Sequence, residues 1–299
     1  MLASVIIFFA LMILFLSSLE DLKTGEIPEK YSHTLISGVI LFSAAYSLYE
    51  LSPQPFLSAL FFLVLFFLIS CALFYTGQWG GGDVKLATGV GALLGLLDEM
   101  AYPWVNMVFF ETPIPASMVY WVDMAVLSVP YVTVYSLLLG LASPTIRGKI
   151  TSKLCKPPVL VILLTSLIIP SIALLYFGFS AFIKLYFLII FFVLLTFYLK
   201  FIEYAALRKK IRVSKLQEGD IVATDVLVGG RKIASSRNIE GLDEKQINLI
   251  RQAAESGQLG DVIEIKWGVK FAPVLFFALI GVLFYGNLLE VIIGFFFGF

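Results

Sequence analysis

The chain has 299 residues, of which 60% are hydrophobic and 14% charged, and its 21 Lys and Arg balance its 21 Asp and Glu. A mean hydropathy of +0.95 excludes an ordinary soluble enzyme and indicates a polytopic membrane protein. Because the formal net charge is zero, the distribution of charge matters more than its total, and we expect the lipid membrane rather than nucleic acid as a partner.

Long apolar runs predict about eight membrane spans, since a helix needs about 20 apolar residues to cross a bilayer. The first run starts at Met1 without a basic leader or a small-residue cleavage site, so we expect a retained helix rather than a signal peptide. The fourth is short and contains Gly89, Gly91 and Gly95, which predicts a tightly packed or partly re-entrant helix. The predicted spans are residues 2–19, 32–49, 56–76, 84–97, 118–142, 158–177, 181–202 and 271–298.

The positions of Lys and Arg predict the orientation in a plasma membrane, because cytoplasmic loops hold an excess of them. With the N-terminus outside, residues 20–31, 77–83, 143–157 and 203–270 lie inside. These segments then hold Arg147, Lys149, Lys153, Lys156, Arg208, Lys209, Lys210, Arg212 and Lys215. The predicted outside loops carry acidic residues instead, so the N-out arrangement is favoured.

Residues 207–268 differ from the rest of the chain in their mixed charge and shorter patterns. The stretch DIVATDVLVGGRKIASS predicts two strands joined by a turn at Gly229 and Gly230. A helix follows, with Asp243 as its N-cap and Gln246 three residues later, and DVIEIKW predicts a further strand. The predicted architecture is an all-α polytopic membrane protein with a small cytoplasmic α+β domain. Its parts are residues 1–206, 207–268 and 269–299.

Two carboxylates, Asp21 after the first span and Asp83 after the third, fall on the same predicted face of the membrane and at similar depth. A carboxylate at a membrane boundary usually faces a cavity, a counter-charge or a substrate, because lipid does not solvate it. Two neighbouring carboxyl groups resist ionising together and can share a proton, as aspartic proteolysis requires. Alternatively, Asp83 caps the fourth span and Asp21 is an ordinary interfacial acid.

The residues around Asp83 also bear on its chemistry. Gly80, Gly81 and Gly82 lack a Cβ, so we expect unusual backbone dihedrals and close approach of a substrate backbone. Lys85 would anchor the loop at the interface or tune the local field. The two cysteines lie in different surroundings and the chain has one histidine, so we expect no metal site and no cofactor.

Two motifs carry a family resemblance: D-L-K-T-G-E-I-P at residues 21–28 and G-G-G-D-V-K-L at residues 80–86. Together they resemble the type IV prepilin peptidase family, membrane-embedded G-x-G-D aspartic proteases. The chain is most similar to the archaeal branch, which includes the preflagellin peptidases. The resemblance is sharpest over residues 15–97 and recurs weakly near residues 212–278.

The resemblance implies that Asp21 and Asp83 are the catalytic aspartates and that Gly80 and Gly82 are the motif glycines. It also implies cleavage of short basic leader peptides, of the class III signal type, from archaellin or pilin-like precursors at the cytoplasmic face. The family core has six spans, fewer than the eight predicted here. Acidic residues around Asp21 would attract such a leader, or would merely form a solvated loop face. They are Glu20, Glu26 and Glu29.

Other functions fit part of the pattern. A presenilin-like intramembrane protease shares G-x-G-D, but its first aspartate follows a tyrosine within a span, whereas Asp21 follows Glu20 at a helix end. A transporter or ion-binding protein would use the same carboxylates, with interrupted helices in corresponding halves of the chain. In a structural scaffold both aspartates would be caps. Asp123 in the fifth span is expected to lie at the interface, away from the pair.

Overall fold

The structure of the chain is a computed structural model that describes residues 2–109, 112–142, 208–236, 238, 240–266 and 268–297. Its residues fall into two compact units, Met1–Tyr131 with Gly268–Phe299 and, separately, Val132–Trp267. The predicted spans at residues 158–177 and 181–202 and the basic loop at 143–157 lie outside the described residues.

Helices form most of the described chain. They are α1 (Leu2–Thr24), α2 (Glu29–Tyr49), α3 (Gln54–Tyr75), α4 (Gly81–Glu99), α5 (Ala116–Ala142), α6 (Glu244–Glu255), α7 (Ala272–Phe284) and α8 (Leu288–Phe297). The strands are β1 (Val108–Phe109), β2 (Thr112–Pro113), β3 (Arg208–Arg212), β4 (Val226–Val228), β5 (Arg231–Ala234) and β6 (Val262–Lys266).

Within the described residues, three helices are long and apolar enough to cross a membrane: α1, α3 and α5. The pair α7 and α8 adds a fourth candidate if both belong to one span. The predicted count of about eight spans is therefore not confirmed. Helices α2 and α4 lie at predicted spans, but they are less hydrophobic on average than the other three.

The predicted last span, residues 271–298, is two helices bent by 70° rather than one straight helix. Gly286 ends α7 with φ +75°, and a Cβ on it would lie 2.0 Å from the Val105 carbonyl oxygen. The Asn287 side chain donates to the Val108 carbonyl at 2.7 Å and accepts from the Leu289 N–H at 3.1 Å. A left-handed glycine and a fixed asparagine thus break the apolar run, because neither continues a helix.

Asp123 lies inside the bundle, although we expected it at the interface. Its side chain is fully buried, and its Oδ1 accepts the Leu288 N–H at 2.8 Å. The first N–H groups of a helix have no partner within the helix, so a carboxylate there stabilises the helix start. Asp123 therefore fixes the beginning of α8.

Helix α4 is the centre of the first unit, with nearly every side chain from Val84 to Leu97 buried. It packs against α3 at very short range: a Cβ on Gly91 would lie 2.7 Å from the Phe62 carbonyl, and one on Gly95 would lie 2.7 Å from the Ser58 carbonyl. Small residues four apart let two helix backbones approach in this way. The predicted tight packing of this helix is thus confirmed.

Residues 208–266 have a hydrophobic core of their own, with Ile250 of α6 fully buried at its centre. Strand β3 pairs with β6 in antiparallel register, Arg208 opposite Lys266. Strands β4 and β5 form a hairpin in which both turn glycines have positive φ, as a tight two-residue turn requires. Asp243 caps α6 by accepting the Gln246 N–H at 2.7 Å. The predicted hairpin, helix and strand are confirmed here.

We expect Gly95→Ala to destabilise the protein by about 1–3 kcal/mol, because the added methyl group would overlap the Ser58 carbonyl and force α3 and α4 apart. Unfolding of the purified chain in detergent measures this change. The matched control is Gly81→Ala in the first turn of the same helix, where no atom lies within 4 Å of the added group. Equal stability of the two variants would contradict the packing argument.

A second prediction concerns the β4–β5 hairpin. Hydrogen bonds from Lys232 and Ser236 hold the pKa of the Asp225 carboxyl well below its usual range. A carboxyl group with a lowered folded-state pKa stabilises the fold above its unfolded pKa of about 4, and this contribution is lost as pH falls further. Asp225→Asn should therefore lower the melting temperature of residues 208–266 at pH 7 more than at pH 3.

Melting of the full chain followed as a function of pH tests this expectation. The control is Asp261→Asn, an exposed aspartate of the same unit. A difference between wild type and Asp225→Asn that stays constant from pH 7 to pH 3 would contradict it.

Candidate active site

Asp21 lies in the last turns of α1, and its side chain is 4% exposed. The helix ends at Gly25, which has φ +77° and donates its N–H to the Asp21 carbonyl at 2.8 Å. Glycine commonly ends helices in this left-handed conformation because it has no Cβ. The LKTGEIP sequence thus ends α1 within one turn of Asp21 and keeps this carboxylate near the end of the helix.

The C-terminal part of the chain supplies the direct partner of Asp21. Its Oδ2 accepts the N–H of Ala272, the first residue of α7, at 3.1 Å. That N–H has no partner within its own helix, so a carboxylate satisfies it and interacts favourably with the helix dipole. The Lys270 ammonium group also interacts electrostatically with Asp21, and it donates to the Leu22 carbonyl.

Asp83 lies in the first turn of α4, three residues after the N-cap Gly80. Its Oδ2 accepts the Gly80 N–H at 3.0 Å, so it does contribute to capping, although Gly80 rather than Asp83 occupies the cap position. Its Oδ1 is buried and has no hydrogen-bond partner among the described residues. The backbone thus holds one oxygen of this carboxyl group but not the other.

The structure brings the two predicted aspartates together. Their carboxyl groups are close enough for the charge of Asp21 to act on Asp83. Ile27, in the turn after α1, packs against Gly82, where an added Cβ would lie 2.8 Å from the Ile27 Cβ. An ion pair between Lys85 and Glu29 joins α4 to the start of α2. These contacts place the end of α1 against the beginning of α4.

The predicted role of the glycines needs a correction. None of Gly80, Gly81 and Gly82 has a positive φ, and Gly80 adopts an extended conformation with φ −86° and ψ 162°. Other residue types could adopt the backbone dihedral angles of these three glycines. The left-handed turn of this loop occurs earlier, at Gly77, where φ is +74°. Gly82 is needed for its contact with Ile27, whereas a Cβ on Gly81 would meet no atom within 4 Å.

The acidic residues near Asp21 are not equivalent. Glu26 is exposed and Glu20 is half-buried. Glu29 is exposed as well, but its carboxylate is paired with Lys85. Glu20 and Glu26 therefore remain as candidates for attracting a basic peptide, while the charge of Glu29 is largely compensated.

An aromatic cluster next to the pair was not predicted from the sequence. Trp79 is buried directly before Gly80, with ring centroids 5.9 Å from Trp121 and 5.6 Å from Phe271. The weak resemblance near residues 212–278 was the only sign that residues 270–272 belong to the site. Sequence spacing gave no indication of the contact, because Asp21 and Ala272 are 251 residues apart.

The described residues include no group of three His, Cys, Asp or Glu side chains that could hold a metal ion. What the site does contain is two buried carboxyl groups, backbone N–H donors and one nearby ammonium group. Such a pair can donate and accept protons at neighbouring positions, which is general acid–base chemistry.

Residues 7–144 match the model of the type IV leader peptidase family. The chain is also similar to the prepilin peptidase EppA of Methanothermobacter thermautotrophicus, with 31% identity over 133 residues, or 43% of this chain and 34% of that relative. The chain thus spans about a third of the length of this relative. No solved structure matches the chain.

The matched range includes Asp21, Asp83 and the three glycines that precede Asp83. Both the family model and the relative agree with the resemblance seen in the two sequence motifs. Residues 7–144, which hold both aspartates, are therefore similar to the type IV leader peptidase family.

Proposed function

We propose that the chain is a membrane-embedded aspartic endopeptidase. It removes short basic leader peptides from archaellin or pilin-like precursors, with Asp21 and Asp83 as the catalytic pair. The observation that supports this most directly is the placement of these two buried carboxyl groups beside each other at one end of the helix bundle. The family of residues 7–144 and the similarity to a prepilin peptidase support the same activity.

The pair supplies both proton transfers that hydrolysis of a peptide bond needs. One ionised carboxylate takes a proton from water as the water oxygen bonds to the scissile carbonyl carbon, and the protonated partner gives its proton to the carbonyl oxygen. The resulting diol then collapses and the C–N bond breaks. The amine takes the proton first removed from water, and the other carboxylate recovers its own.

The substrate class follows from the family and from the charge around the pair. A leader peptide with several Lys or Arg residues would be attracted to Glu20, which precedes Asp21, and to Glu26 in the turn after α1, both of which have solvent access. The buried aromatic cluster at Trp79 and Phe271 offers an apolar wall beside the carboxylates for the hydrophobic helix of the precursor. This combination suits a cut between a basic leader and an apolar helix.

We also propose an orientation and a division of the chain. The N-terminus lies outside the cell, and both aspartates lie at the cytoplasmic face, where positively charged leaders are retained. Residues 1–206 form the peptidase core, residues 207–268 a cytoplasmic α+β domain and residues 269–299 the C-terminal membrane segment. The separate core of residues 208–266 supports this division.

A transporter would be favoured by breaks in corresponding halves of the chain. Helices α7 and α8 are broken at residues 285–287 beside buried Asp123, but α1 to α4 run without a break. A presenilin-like protease is disfavoured since Asp21 lies in the final turns of α1, after Glu20. The cleavage experiment below distinguishes these two functions from the proposed one.

Asp21→Asn and Asp83→Asn should each reduce cleavage of a pilin-like precursor by at least about 10²-fold, because each removes one of the two proton transfers without changing side-chain size. The measurement is the leader release rate from a tagged precursor in membranes that hold equal amounts of each variant. Asp261→Asn is the matched control, since this aspartate is exposed and lies in the other unit.

Cleavage by either substituted chain at near wild-type rate would remove that aspartate from the proposed site. A wild-type chain that cleaves no archaellin or pilin-like precursor would instead favour the transporter or scaffold functions.

A further prediction concerns recognition of the leader. The double substitution Glu20→Gln with Glu26→Gln should raise KM for a basic leader severalfold at low salt and leave kcat nearly unchanged, because the two charges act before the chemical step. The effect should fade as added salt screens the charges. Glu29→Gln serves as the comparison, and its effect should be smaller because Glu29 is already paired with Lys85. An equal effect of Glu29→Gln on KM would contradict a specific role of Glu20 and Glu26 in attracting the leader.

A further inference from the structure

Lys270 has contacts that neither leader binding nor peptide cleavage by the pair explains. Its ammonium group donates to the Leu22 carbonyl, one residue after Asp21, and its own carbonyl accepts the Tyr131 hydroxyl at 2.5 Å. The next two residues also contact the site: the Phe271 ring packs near the Trp79 ring, and the Ala272 N–H donates to Asp21. The lysine is therefore held in place from both sides, by α1 and by α5.

The surroundings of the two aspartates are unequal in charge. Asp21 receives the Ala272 N–H and the field of the Lys270 ammonium group. Asp83 receives the Gly80 N–H, its Oδ1 has no partner among the described residues, and it experiences the negative charge of Asp21. Donors and cations favour the ionised form of a carboxyl group, whereas burial and a neighbouring anion favour the protonated form.

We propose that Lys270 is a positioning residue that keeps Asp21 as the ionised member of the pair, leaving Asp83 as the protonated member. This assignment rests on the proposed peptidase function. Asp21 then takes the proton of the attacking water as the new C–O bond forms, and Asp83 gives its proton to the carbonyl oxygen. When the C–N bond breaks, Asp21 returns its proton to the amine nitrogen and Asp83 recovers a proton from the diol.

A purely structural role for Lys270 is the competing explanation. Leu22 lies in the last turn of α1, where carbonyl groups lack partners within the helix, and a lysine there can cap the helix end. Removal of a cap would reduce the amount of folded enzyme and hence the rate at every pH. Removal of a charge that acts on Asp21 would change how the rate depends on pH.

The test is the pH profile of kcat for leader release by wild type, Lys270→Met, Lys270→Arg and Lys23→Met, all in the full chain and normalised to inserted protein. The described titratable groups that act on Asp21 are Lys270 and, from α4, Asp83. In Lys270→Met we expect the acid limb of the profile to move up by about one pH unit, so that kcat on this limb falls roughly tenfold while KM changes less than twofold.

Lys270→Arg should restore the wild-type position of the acid limb, because it keeps the charge. Lys23→Met removes an exposed lysine from the same helix end and should leave the profile unchanged. An acid limb that stays in place in Lys270→Met, with the rate reduced equally at all pH values, would overturn the assignment and leave the peptidase intact. A wild-type chain without cleavage would overturn both.

A spectroscopic measurement gives an answer even where Lys270→Met does not insert. Infrared difference spectra of wild type against Asp83→Asn at neutral pH should show loss of the carbonyl stretch of a protonated carboxyl group. If no such band is lost, Asp83 is ionised at rest and the assignment is wrong.

Discussion

The hydrogen bond from the Ala272 N–H to the Asp21 carboxylate joins the two ends of the membrane-associated part of the chain. A buried carboxylate is costly unless it finds donors, and a helix start is costly unless it finds an acceptor, so each group satisfies the need of the other. Together with the packing of Phe15 against Phe276, this contact sets the position of α7 against α1. It also brings Lys270 and Phe271 to the pair, so most of the site's asymmetry depends on it.

The position of Asp83 depends on a different constraint, the close packing of α4 against α3. At Gly91 and Gly95 the backbone of α4 approaches α3 so closely that an added Cβ would overlap atoms of α3. The Ser58 hydroxyl also donates to the Gly95 carbonyl at 2.9 Å. Because α4 is buried and packs closely against α3, a shift of its first turn along the bundle axis would disrupt these contacts. Chemistry at the end of the bundle thus relies on packing in its middle.

The sequence predicted what depends on local patterns. The Asp243 cap, the turn at Gly229 and Gly230, and the resemblance of the segment with both aspartates to the type IV leader peptidases follow from neighbouring residues, and the structure or the comparisons agree with them. The bend between α7 and α8 and the contacts of Lys270 were missed, because both depend on residues far away in the chain. Asp123 was misplaced for the same reason: its helix partner is 165 residues away.

The sequence separation of 251 between Asp21 and Ala272 also has a consequence for biosynthesis. A ribosome adds about 5–20 residues per second, so roughly ten to fifty seconds pass between synthesis of the first aspartate and of its partner. During that interval Asp21 and Asp83 are both made, but neither the Ala272 N–H nor the Lys270 charge is present. A nascent chain therefore holds both carboxyl groups before it holds the groups that distinguish one from the other.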